Sequence, residues 1–165
     1  MNTKKIKVKW GTTVILITSI TSIIIIIAEY YLLKSLLSSM DIITLIIAII
    51  IVVILGYFAL EAPLSLELDE HKLVLYKIKG KLIIEFDQIA HIDIYIPDCS
   101  DIRLFGSGGF CGFIGKFRNK NIGNYQSYVG DYAQSFLIQT KKNVNYVLSC
   151  ENREEVINIV KQHIK

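Results

Sequence analysis

Apolar positions follow two different periods along this 165-residue chain. Residues 10–28 and 42–60 are continuous apolar runs without an ionisable side chain, whereas the chain beyond Pro63 alternates apolar and polar residues in short segments. A run of about nineteen residues rising about 1.5 Å each reaches roughly 28 Å, close to the roughly 30 Å of a bilayer's hydrocarbon core. The pattern predicts a transmembrane helical hairpin. It divides into a basic N-terminus at 1–9, a first helix at 10–33, a short loop at 34–41 and a second helix at 42–62.

Pro63 ends the second helix. Beyond it, Leu64, Leu66 and Leu68 alternate with Ser65, Glu67 and Asp69, the period of a half-buried strand. Segments 72–77, 81–86, 92–96, 124–130, 135–141 and 144–149 read the same way between turn residues, about seven or eight strands in all. The C-terminal period is helical. Val156, Ile157, Val160 and Ile164 share one face, Glu151, Glu154 and Glu155 stand at the first turn, Lys161 and Lys165 at the last, and Ser149 or Asn152 at the cap. Residues 63–165 therefore read as a small antiparallel β domain closed by one amphipathic helix.

Charge sets the orientation. Lys4, Lys5, Lys7 and Lys9 precede the first run, and Lys72, Lys77 and Lys79 follow the second, while the connecting loop holds only Lys34. Basic flanks stay inside, so both termini are expected on the cytoplasmic face of a multi-pass protein of the cell membrane. Trp10 with Tyr57 and Phe58 would mark the inner interface, and Tyr30 and Tyr31 the outer one. A cleaved signal sequence is the competing reading, but the first run exceeds an h-region of about 7 to 15 residues, and no small-x-small site follows it. The net charge of +3 lies entirely in residues 1–60, since residues 61–165 carry equal numbers of acidic and basic side chains. A basic nucleic-acid surface is therefore not expected. Cys99, Cys111 and Cys150 are scattered, as are His71, His91 and His163. Reduced structural thiols, no metal and no cofactor are the expectation.

The segment Arg103-Leu-Phe-Gly-Ser-Gly-Gly-Phe110, with Gly112, Gly115, Lys116-Phe117, Ile122-Gly123, Tyr125 and Tyr128, and with Tyr146-Val-Leu-Ser149 before the last helix, resembles the bacterial pleckstrin-homology-like family. Such proteins commonly carry a proline where Cys150 stands here. The resemblance covers roughly residue 64 to the end. It implies a two-sheet, partly open barrel of about seven antiparallel strands with a C-terminal capping helix, used for interaction and scaffolding, with no established enzymatic activity.

Five groups of residues are candidates for a site. Gly106, Gly109, Gly112 and Gly115 recur every third position, but Cys111 breaks a dinucleotide fingerprint, and Phe110 and Phe117 break a phosphate loop. Bends with aromatic filling are one reading of this segment and ligand or nucleotide binding another. As a protein-partner or self-association surface, its contact residues would be Arg103, Phe105, Phe110 and Phe113. Lys77, Lys79 and Lys81 on a hairpin fit either anionic lipid headgroups or a solvated edge guarded against aggregation. Asp93, Asp98 and Asp101 lack calcium-loop spacing and read as turn caps. Glu29 reads as an interfacial carboxylate, with a proton-carrying group as the alternative. Thr18 and Ser22 offer either a small packing face between the helices or hydroxyls bonded to their own backbone.

Overall fold

A computed structural model describes residues 4–39 and 42–164. Helix α1 (Thr12–Ser39) and helix α2 (Ile42–Leu60) are the two apolar runs, and both are long and apolar enough to cross a membrane. Most of their described large apolar side chains are exposed. The first helix continues to Ser39, beyond the expected end at residue 33. Leu32 and Leu33 favour helix and the segment contains no glycine or proline to stop it. Met40 and Asp41, from the expected loop, lie outside the described residues, as do residues 1–3 and Lys165.

Strands β1 (Lys4–Lys7), β2 (Pro63–Leu68), β3 (Lys72–Lys77) and β4 (Lys81–Glu85) form an antiparallel sheet in that order. Strands β5 (Ile89–Ile94), β6 (Ile102–Gly108), β7 (Phe113–Asn119), β8 (Gly123–Val129), β9 (Ser135–Thr140) and β10 (Asn145–Ser149) form a second sheet, ordered β5-β9-β10-β8-β7-β6. Helix α3 (Arg153–His163) follows. Two unclosed sheets with a C-terminal helix are the expected architecture, with three differences. An additional strand, β1, comes from ahead of α1, the glycine-rich segment supplies the strand pair β6 and β7, and β8 pairs with β10 in parallel.

The main core lies between the sheets, where Leu66, Leu73, Leu75 and Ile84 meet Ile89, Ile92, Phe136, Ile138 and Leu148. Val156, Ile157 and Val160 of α3 close it, as their stripe predicted, and Ile6 and Val8 join from the N-terminus. Alternation misplaced some side chains. A register shift between Pro63 and Ser65 leaves Leu64 exposed while Leu66 and Leu68 are buried. In β5 a shift between Ile89 and His91 puts Ile89 and Ile92 on one buried face, while Ile94 at the strand's end and Ile96 beyond it are exposed. Asn152 occupies the N-cap of α3 without a side-chain bond, and the Ser149 hydroxyl instead accepts the Gly130 N–H at 2.8 Å.

Candidate functional site

The glycine-rich segment is a β-hairpin. Gly106 and Gly115 face each other across β6 and β7 with φ of +130° and +125°. A Cβ at Gly106 would stand 2.0 Å from the Ile114 carbonyl oxygen, and one at Gly115 would stand 2.3 Å from that of Phe105. Only glycine permits both the dihedrals and this approach. At the tip, the Gly109 N–H donates to the Gly112 carbonyl at 3.2 Å, and Ser107 Oγ donates to the Phe110 carbonyl at 2.7 Å.

That tip is seated on α1. The Thr18 hydroxyl donates to the Gly109 carbonyl at 3.2 Å and accepts the Cys111 N–H at 2.9 Å, an arrangement that differs from both sequence readings of Thr18. A Cβ on Gly109 would lie 2.6 Å from Ile17 Cδ1. Beneath it Cys111, Ile114 and Ala62 form a small core with Trp10, Ala59, Phe110 and Tyr128 packed around it. The amides of Gly109, Cys111 and Gly112 are bonded within the protein, so the geometry offers no support for a phosphate cradle here.

The four residues expected to meet a partner are not brought together. Arg103 and Phe105 are exposed on β6, the latter by 65%. Phe110 is half-buried at the tip, and Phe113 is half-buried with its ring 4.6 Å from that of Tyr132. Ile102 and Leu104 are exposed beside the first pair, on a strand at the edge of the six-stranded sheet. Arg103 crosses the tip's base, where a Cβ on Gly108 would meet its Nη1 at 2.3 Å.

The three lysines also separate. The β3–β4 turn holds the end of α2: the Ile78 N–H donates to the Ala62 carbonyl at 3.2 Å and the Lys79 N–H to the Leu60 carbonyl at 2.8 Å. Lys77 turns inward, 13% exposed, and pairs with Glu61 at 2.6 Å while its ammonium lies 5.2 Å from the Tyr128 ring centre. Lys79 and Lys81 stay exposed, as does Ile78 ahead of them at 53%. Glu61 sits at the negative end of the α2 dipole, where a carboxylate is unfavourable unless a cation offsets it. Burial pushes Lys77 down, and its hydrogen bond to Glu61 with neighbouring charge outweighs that, so the net displacement is upward. The pair's contribution is complete below the ordinary lysine value and is lost as pH rises through the elevated one. Lys77→Met retains the apolar stem and leaves Glu61 unpaired. We expect a loss of about 1 to 2 kcal/mol, a few degrees in Tm for the full chain in detergent. An unchanged Tm would show that the pair contributes nothing.

Sequence reading missed a buried polar node. Tyr95 and Tyr125 hydroxyls both donate to one oxygen of Asp101, at 2.5 and 2.6 Å, while the other oxygen accepts the Asp98 N–H at 2.8 Å. Burial and Asp101 push both phenols well above their usual range, so they stay neutral donors. Asp98 does serve as a turn cap, accepting from Ser100, but Asp93 faces Lys161 of α3 at 3.5 Å. Glu29 is half-buried, with one carboxylate oxygen enclosed without a hydrogen bond, and helps line a cavity between α1 and α2. Burial pushes the Cys150 thiol up to about 11, which suits a structural role. Among the described residues no group of three or more His, Cys, Asp or Glu is placed to hold a metal.

A family model described as bacterial PH domain matches residues 64–164. No curated protein and no solved structure matches the chain.

Proposed function

Because the chain belongs to the bacterial PH domain family, we propose that it is a membrane-anchored, non-enzymatic interaction or scaffolding module whose domain lies on the cytoplasmic face. In this reading 10–33 and 42–62 delimit the spans approximately, 34–41 connects them outside, and 63–165 is the domain. The pairing of β1 with β2 carries the proposal, because it joins the segment before α1 to the segment after α2. Two helices that leave one sheet and return to it suit an out-and-back crossing, and the lysines around β1 favour the cytoplasmic side.

The domain is then held against the bases of both helices, and the outer edge of the six-stranded sheet is left for a partner. Ile102, Leu104 and Phe105 there form an apolar strip beside the Arg103 charge, a composition typical of protein contacts. Leu104→Ser with Phe105→Ser should leave Tm within a few degrees, because both are exposed, and should abolish crosslinking of the full-length protein to its partner or to itself in cells. Retained crosslinking with an intact fold would refute this surface. Phe110 and Phe113 are unsuitable for that experiment, since both pack into clusters.

A second reading is anionic lipid binding. It is favoured by the β3–β4 turn, which places Lys79 and Lys81 at the end of α2 with Ile78 exposed ahead of them. Lys77 contributes less than its neighbours because Glu61 holds it.

A further inference from the structure

The hairpin between β6 and β7 differs from every other turn of the domain in composition. From Leu104 to Gly115 there is no charged residue. The β2–β3 turn carries Asp69, Glu70 and His71, the β3–β4 turn Lys79, the β7–β8 turn Lys120, and the β9–β10 turn Lys141 and Lys142. The β8–β9 turn, with Asp131, lies at the start of α1 beside Gly11, Thr13 and Val14, and the uncharged turn touches the helix farther along. It does so at Ile17 and Thr18, which lie five and six residues past Thr12. At about 1.5 Å per residue, the tip reaches about 9 Å along the helix from its start.

At that height the open side of α1 is mostly apolar: Ile15, Leu16 and Ile20 are exposed with Ser19 among them, while Val14 is buried and Ile17 and Thr18 are half-buried on the covered side. Most of the tip's backbone is bonded within the protein. Non-helical chain is tolerated at membrane depth only where its polar groups are bonded to protein. Here the Gly109 N–H and carbonyl, the Phe110 carbonyl, and the Cys111 and Gly112 N–H groups all have protein partners, two of them through the Thr18 hydroxyl. The glycines thereby acquire a purpose beyond bending, since a side chain at Gly109 would strike Ile17 and lift the tip from the helix.

From these contacts we infer that the Gly108–Gly112 tip is a membrane-inserted wedge, with Phe110 reaching the acyl region beside α1. Its occupant is the lipid of the cytoplasmic leaflet. The wedge makes a third membrane contact and fixes the domain's height and rotation, while Lys79 and Lys81 at the base of α2 lie at the level of headgroup phosphates. This rests on the reading of α1 as a membrane span.

Tryptophan quenching in full-length protein reconstituted into liposomes tests it, because Trp10 is the chain's one tryptophan. In a Trp10→Phe background, Phe110→Trp probes the tip, Ile26→Trp the middle of α1, and Lys120→Trp a turn at the opposite end of the hairpin. The expected result is quenching by lipids brominated on the acyl chain, with loss of iodide quenching, at both 110 and 26, and the reverse at 120. If 110 behaves like 120 while 26 stays lipid-exposed, the wedge is overturned and the span survives. If 26 is also open to iodide, the span reading falls and the wedge falls with it. Should Phe110→Trp prevent folding, bimane attached to Phe110→Cys reports the same two quenchers, with the exposed Cys99→Ser, the buried Cys111 and Cys150 kept, and the same protein retaining Phe110 as the labelling blank.

Discussion

Gly115→Ala should destabilise the domain more than any other glycine-to-alanine change except its partner, Gly106→Ala. The residue has φ of +125°, in a region that alanine reaches only with strain of about 1 to 3 kcal/mol. Its Cβ would also stand 2.3 Å from the Phe105 carbonyl oxygen and 2.8 Å from the Gly106 Cα. These are backbone atoms of the paired strand, so no rotamer change relieves the clash and β6 must separate from β7. We expect a loss of about 3 kcal/mol or more, against a typical total of about 5 to 15 kcal/mol, and a fall in Tm of roughly 10 °C. Gly80→Ala and Gly123→Ala serve as controls, because their φ values of +83° and +74° are also positive but an added Cβ has open space. Thermal unfolding of the full chain in detergent separates the two cases. A Gly115→Ala protein that melts with the controls would mean that the hairpin does not hold this close approach.

Removing residues 1–9 should be comparably damaging, although the segment looks from its charge like a topology signal alone. Ile6 and Val8 are almost fully buried in the main core, and loss of each such side chain costs about 2 to 4 kcal/mol. The backbone is tied in at two further places: Val8 N–H to the Leu64 carbonyl and Glu151 N–H to the Lys7 carbonyl, at 2.9 and 3.0 Å. Lys4 adds an ion pair with Glu155 of α3. A fragment of residues 64–165 should therefore lack a cooperative melt and aggregate through the bared edge of β2. The same fragment with residues 4–11 fused ahead of it by a Gly/Ser linker should regain a cooperative transition. Equal melting of the two fragments would show that β1 is dispensable.

These cases mark where the sequence was readable. β3 occupies its expected residues, and β9, β10 and α3 fall within one or two residues of expectation, because each buries one face and its period records that directly. β1 was hidden by its lysines. Ile6 and Val8 alternating with Lys5, Lys7 and Lys9 carried the strand signal, but a segment of four basic residues ahead of an apolar run also satisfies an orientation rule. β6 and β7 are not legible as strands, since glycine is a poor strand former and its pairing with another glycine depends on register across the hairpin. The lysine hairpin was placed correctly. That Lys77 turns inward could not be read, because its partner Glu61 belongs to the end of a helix and their meeting depends on how the turn caps that helix.

The sequence by itself determined the two membrane-length helices, the balance of charge, the strand-rich domain with its terminal helix, and the family. Those properties are carried by local periodicity and by composition, which residues near one another in the chain express without reference to the rest. The tertiary structure alone decided that the N-terminus completes a sheet, that β8 runs parallel to β10, that Thr18 receives the hairpin tip, and that Asp101 gathers two tyrosine hydroxyls. Each of these joins residues far apart in sequence. Hydrogen bonds and ion pairs act over about 3 to 4 Å, so they depend on a register and docking geometry that exist only once the whole chain has packed.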